Sequence, residues 1–162
     1  MGPTDEHRGG RARPLRAAAL AVGVLALVGT ALVHLHLWMH GYRSIATIGT
    51  LFLLQWIAGF VLAAVVVVWH RWFVPLVGAL FLASTVGGLL LSVEVGLFGF
   101  TDSLGAPYAG MSIVVEAVGF VALATAAVLM FLDRRRPATA LRASQSPAAP
   151  TDRSAPAAGA NL

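Results

Sequence analysis

From Ala17 to Leu132 only five residues are charged: Arg43, Arg71, Glu94, Asp102 and Glu116. Between them lie four apolar stretches, residues 15–38, 45–69, 73–98 and 108–132. Each reaches the roughly 20 residues that a helix needs to cross the hydrocarbon of a bilayer. The breaks fall at residues 41–44 (Gly-Tyr-Arg-Ser), at His70-Arg71, and in a loop over 99–107 that carries Asp102, Gly105 and Pro107. Pro75 falls in the first turn of the third stretch, where a missing N–H costs little. The predicted fold is all-α: a transmembrane four-helix bundle with short connections and no soluble domain.

Composition supports lipid as the solvent. The chain of 162 residues is 58% hydrophobic and 11% charged, with mean hydropathy +0.82. A soluble domain usually carries about 25% charged residues. The first stretch has the basic start of a signal peptide, but it is too long. It also ends in Val33-His34-Leu35-His36-Leu37-Trp38 instead of a small-residue cleavage site, so it is read as a retained helix. Cysteine is absent, which removes disulfides and thiolate chemistry together.

The net charge of +4 could point to nucleic acid, but its distribution points to a membrane. All eleven basic residues are Arg, and nine of them sit before residue 17 or after residue 133. Aromatic residues are not interleaved with them as single-strand binding requires, so no nucleic-acid partner is expected. Arginine flanks cytoplasmic ends of spans. The arm, Arg71 and the run Arg134-Arg135-Arg136 therefore belong on the cytoplasmic side, and only Arg43 lies opposite. The expected topology is a multi-pass plasma-membrane protein with both termini inside. Trp38, Tyr42, Phe98, Phe100 and Tyr108 would mark the outer interface, and Trp69, Trp72 and Phe73 the inner one. Residues 1–14 and 133–162 lack an apolar period and are expected to be a disordered arm and tail. Arg without Lys in an Ala- and Gly-rich chain also suggests a high-GC bacterial genome.

Small residues recur every four positions along the third stretch, at Ser84, Gly88, Ser92 and Gly96. Such a stripe lets another backbone approach closely, so it is read as a helix-packing seam, either within the bundle or in a homodimer.

Polar groups inside spans are costly and mark functional sites by default. Five stand out: His34, His36, Gln55, Glu94 and Glu116. At a rise of 1.5 Å per residue, Gln55 lies roughly 15 Å and Glu116 roughly 12 Å from the outer ends of their spans, and Glu94 roughly 6–8 Å. All five fall in the outer half. His34 and His36 point about 200° apart, so a regular helix cannot aim both at one site. Ser112 shares a face with Glu116.

Three readings compete for this cluster. In the first, Glu94, Glu116, Gln55 and one His bond across helices and fix the register of a structural or accessory component. In the second, His36, Gln55, Glu94 and Glu116 form a ligand-binding or proton-handling site for a quinone headgroup, a proton or another small ligand. In the third, His36, His40, Glu94 and Glu116 hold a metal, since imidazole with carboxylate suits Zn, Cu or Fe. No motif spacing supports a metal, and the cofactor is left open. A small oligomeric transporter is a weaker alternative, because four helices leave little room for an alternating-access pathway. No nucleophile set or phosphate-binding glycine loop is present, so an enzyme is not the leading expectation.

The segments His34-Leu35-His36-Leu37-Trp38, Gly41-Tyr42-Arg43 and Ile48-Gly49-Thr50-Leu51-Phe52-Leu53-Leu54-Gln55 carry a resemblance. Together with Val95-Gly96-Leu97-Phe98-Gly99-Phe100 and Glu116, they are similar to small four-span integral membrane proteins of high-GC bacteria. The resemblance covers residues 18–132. It implies the four-span architecture and carries over no reaction, cofactor or catalytic residue; the partners expected from the residues themselves are the lipid bilayer and a homodimer or larger membrane complex.

Overall fold

The computed structural model describes residues 3–144, with side chains from residue 13 to 135. Its elements are α1 (Pro3–Met39), a 3₁₀ turn at Tyr42–Ser44, α2 (Ile48–Val68), α3 (Phe73–Glu94) and α4 (Ala109–Ser144). All four helices contain a stretch long and apolar enough to cross a membrane: Arg13–Met39, Ile48–Val68, Phe73–Glu94 and Ala109–Arg135. No strand occurs among the described residues.

Four boundaries differ from the sequence expectation by three residues or more. The second span starts at Ile48 instead of residue 45, because the 3₁₀ turn and Thr47, with φ of 66°, interrupt the helical ladder. The third ends at Glu94 instead of Phe98. Beyond it Gly96 (φ 76°), Phe98 (φ 52°) and Gly99 (φ 79°) adopt left-handed backbone, and Leu97 and Phe100 exchange backbone hydrogen bonds of 2.7 and 2.8 Å. The other two are the start of α1 and the end of α4, which run on into the arm and the tail, where irregular chain was expected. The α4 extension is rich in Ala and Arg, both good helix formers, whereas α1 runs on through Gly9, Gly10 and Pro14, which are poor ones. Residues 1–2 and 145–162, which the disorder expectation also covered, lie outside the described residues.

Contacts between the helices are uneven. α1 packs extensively on both α2 and α4, and α4 on α3, whereas α2 and α3 touch far less. The order is an open arc, α2–α1–α4–α3, with a gap between its two ends. Burial agrees: 17% of the most apolar window of α2 is buried, against 28% in each of the other three helices.

Leu27, Leu82 and Leu123 are fully enclosed, with Ala26, Ala63, Val66, Val74 and Ala79 around them. Glycine makes the close approaches possible. A Cβ at Gly23 or Gly78 would collide with Leu123. One at Gly59 would meet Ala31 at 2.9 Å, and one at Gly119 would strike Ala26 and Leu82. Within the bundle, the stripe Ser84, Gly88, Ser92 and Gly96 does not form the packing seam. A Cβ at Gly88 would meet nothing within 4 Å, Ser84 is exposed, and Gly96 lies in the turn after α3. The seam falls instead on single glycines that face Leu or Ala across α1–α2, α1–α4 and α3–α4.

At the end of the bundle with the α2–α3 connection, Arg16 on α1 pairs with Asp133 on α4 at 3.4 Å. Trp72 packs on Phe131 there, with ring centroids 5.1 Å apart, and Arg135 lies 4.3 Å from the Phe131 ring centroid. We refer to this as the arginine end.

Candidate functional site

The gap between α2 and α3 deepens, away from the arginine end, into a cleft of about 340 Å³. All four helices and both connections at that end contribute to its walls. Ser84, Gly88 and Ser92 form the α3 wall, so the small-residue stripe leaves space for the cleft. Leu54 on α2 and Ser84 on α3, both exposed, stand at its rim. The mouth therefore opens on the flank of the helices, where acyl chains surround a protein in a bilayer.

The roof is a chain of rings. His34 lies 5.1 Å from Phe52, Phe52 stacks on Tyr42 at 4.6 Å, and Tyr42 meets Phe100 edge-on at 5.8 Å. α1, α2, the 3₁₀ turn and the α3–α4 loop are thereby tied together. Ser92 anchors the loop from below. Its hydroxyl accepts from the Asp102 N–H at 3.2 Å and donates to the Phe100 carbonyl at 3.4 Å. Burial, and secondarily the nearby Asp102 carboxylate, push the Tyr42 phenol above its ordinary value of 10.0.

Glu116 is 2% exposed and anchors a network between α1 and α4. The Thr30 hydroxyl donates to its Oε1 at 2.5 Å, and the Ser112 hydroxyl donates to the same oxygen at 3.0 Å. His34 Nδ1 lies 2.8 Å from the Thr30 carbonyl and 3.3 Å from its hydroxyl oxygen. Because the Thr30 proton goes to Glu116, Nδ1 is the donor to Thr30. A neutral ring then carries an acceptor at Nε2.

Several polar groups on the cleft wall are left without partners. Glu116 Oε2, His34 Nε2 and the whole Gln55 amide make no hydrogen bond among the described residues. Among the described residues Trp56 Nε1, outside the cleft lining, is the one side-chain N or O atom that is both buried and unpaired. The other unpaired atoms therefore keep accessible surface, and the cavity that their residues line is the cleft.

The candidate residues read from the sequence divide accordingly. Gln55 and Glu116 line the cleft, whereas His36 and Glu94 do not. His36 stacks on His40 at 4.1 Å and meets Tyr108 edge-on at 5.3 Å, on an exposed face. His34, two residues and about 200° away, is the histidine that joins the site. Glu94 is exposed in the last residue of α3, since the helix stops four residues earlier than its apolar run. The set His36, His40, Glu94 and Glu116 is thus divided between the buried Glu116 and three exposed residues. Among the described residues no three His, Asp or Glu side chains converge as a metal site would require.

Thr30 escaped the sequence reading. Its position four residues before His34, on the same helix face, was the available signal. No protein-family model matches the chain, and neither a curated protein nor a solved structure matches it.

Proposed function

We propose that this chain is a plasma-membrane protein that binds a lipid-phase small molecule in the α2–α3 cleft. The guest has a ring-sized head bearing hydrogen-bonding oxygens, as a quinone does, and an apolar tail that remains in the bilayer. One observation carries the reading: Gln55, Glu116 Oε2 and His34 Nε2, from three helices, are unpartnered in residues that line one largely apolar cleft. A network serving only to fix helix register would consume its own donors and acceptors, because unmet polar groups are expensive in lipid. Register is served as well, since Thr30, His34, Ser112 and Glu116 tie α1 to α4. The volume lies at the lower end of the ~300–1,000 Å³ found for small-molecule sites, which suits a single ring. Phe52, Phe81 and Phe100 offer it aromatic faces.

Both termini are assigned to the cytoplasm. Arg16, Arg71 and Arg134 gather at one end of the bundle, while the opposite connections carry only Arg43, and the positive-inside bias orients such a chain. The cleft then lies in the half towards the outer surface.

Organic extraction of the purified protein, followed by mass spectrometry, tests the binding. One lipid-soluble compound should be enriched over bulk lipid in the wild type. It should be lost in Gly88→Leu, which fills the cleft, and reduced roughly tenfold in Gln55→Leu, the loss of about one hydrogen bond. An extract that matches bulk lipid in the wild type would sink the proposal.

A further inference from the structure

A second cavity, of about 440 Å³, lies at the arginine end, far from the cleft. Three segments build it: Arg16 from α1, His70, Arg71 and Trp72 from the α2–α3 connection, and Met130, Asp133 and Arg134 from α4. Three arginines thus line one cavity with a single acidic residue among them, and Asp133 is already held by Arg16 at 3.4 Å. Arg71 and Arg134 have no carboxylate partner among the described residues.

The lining is also graded from apolar to polar. Met130 belongs to the apolar run of α4, and Trp72 packs on Phe131 beside it. Asp133 and Arg134 follow where that run gives way to charge. The cavity therefore lies where the apolar run of α4 gives way to its charged continuation.

We propose that this cavity binds a phosphate group, with an anionic phospholipid headgroup as its source. Guanidinium is the side chain best matched to phosphate, because its planar fork makes two parallel charge-assisted hydrogen bonds. Basic pockets between helices at a membrane face suit such headgroups. Arg71 and Arg134 supply the forks, and the Arg16–Asp133 pair fixes the separation of α1 and α4 beside them. Met130 and Trp72 meet the glycerol and the first acyl carbons. The site is independent of the cleft, and occupancy of the two is read separately.

Native mass spectrometry of the full chain, released from nanodiscs of mixed phosphatidylglycerol and phosphatidylcholine, tests the assignment. Wild type should retain phosphatidylglycerol above its mole fraction. Arg71→Gln combined with Arg134→Gln should lower that enrichment roughly tenfold or more, as expected for lost charge-assisted bonds. Arg71→Lys with Arg134→Lys keeps the charge but not the fork, and should fall in between. Unchanged helicity in both variants shows that the bundle is intact. A parallel arm adds inorganic phosphate: no displacement supports the lipid source, and displacement assigns the same chemistry to soluble phosphate. Equal retention of the two lipids by the wild type, or full enrichment in the double Gln variant, would overturn the site.

Discussion

Glu116 accepts two hydroxyl hydrogen bonds on one oxygen and none on the other. The first oxygen holds the carboxyl group in place, and the second is free for chemistry at the cleft wall. Trp56 is the contrasting case, with an indole N–H that is buried and unpaired. Removing a donor that has no acceptor costs little, because the desolvation penalty disappears with it. Trp56→Phe should therefore change stability by less than about 1 kcal/mol, whereas truncating a buried Trp to Ala usually costs about 3–5 kcal/mol. Thermal unfolding in detergent measures the difference. Tyr42 offers a pH test outside the spans. Burial and Asp102 raise its folded-state value above that of the unfolded chain, so the protonated phenol favours the fold. That contribution is complete below the unfolded value near 10.0 and is lost as pH rises through the higher folded value. In Tyr108→Phe, which leaves Tyr42 as the sole phenol, phenolate absorbance should appear at higher pH in the folded protein than after unfolding. Asp102→Asn should recover part of the gap.

At the level of helices and turns, two glycines that look alike in the sequence have opposite surroundings. A Cβ at Gly119 would lie 2.6 Å from Leu82 Cδ1 and still closer to Ala26, whereas one at Gly88 would meet open space. Gly119→Ala should destabilise the bundle by about 1–3 kcal/mol through overpacking, and Gly88→Ala should stay within about 0.5 kcal/mol. Melting of the two variants side by side checks both. The pair also shows what was legible in advance. Four spans follow from apolar length alone, because a helix in lipid has one rise and one length requirement, and Gln55 and Glu116 stand out within them as the polar residues that line the cleft. Which face a helix turns inward does not follow. The spacing of Ser84, Gly88 and Ser92 fits a packing seam and a cavity wall equally well, and only the neighbouring helix decides. Glu94 was misplaced because apolar residues continue past it, while Gly96 and Gly99 allow a left-handed turn that apolar character does not report. The choice between His34 and His36 rested on helix rotation, which Thr30 and Glu116 fix from across an interface.

For the whole molecule, the two halves differ in construction. Around Leu27, Leu82 and Leu123 the bundle is dry aliphatic packing framed by Arg; towards the 3₁₀ turn it is a ring-roofed, hydrogen-bonding hollow. The absence of native cysteine makes its orientation easy to test. Single replacements Gly41→Cys and Ser103→Cys should react with a membrane-impermeant maleimide on intact cells, and His70→Cys should react only after permeabilisation. The reverse pattern would invert the assignment.

Leu54 and Ser84 frame the cleft mouth on a flank of the helices instead of at their tips. A guest entering there leaves one oily surrounding for another, so expulsion of water, the usual driving force for burying apolar groups, selects almost nothing. Discrimination falls to the few polar atoms on the wall and to the shape of the rings above them. Occupancy is then governed by the guest's mole fraction among the lipids. Adding empty lipid would deplete the site, while diluting the suspension with buffer would leave it filled.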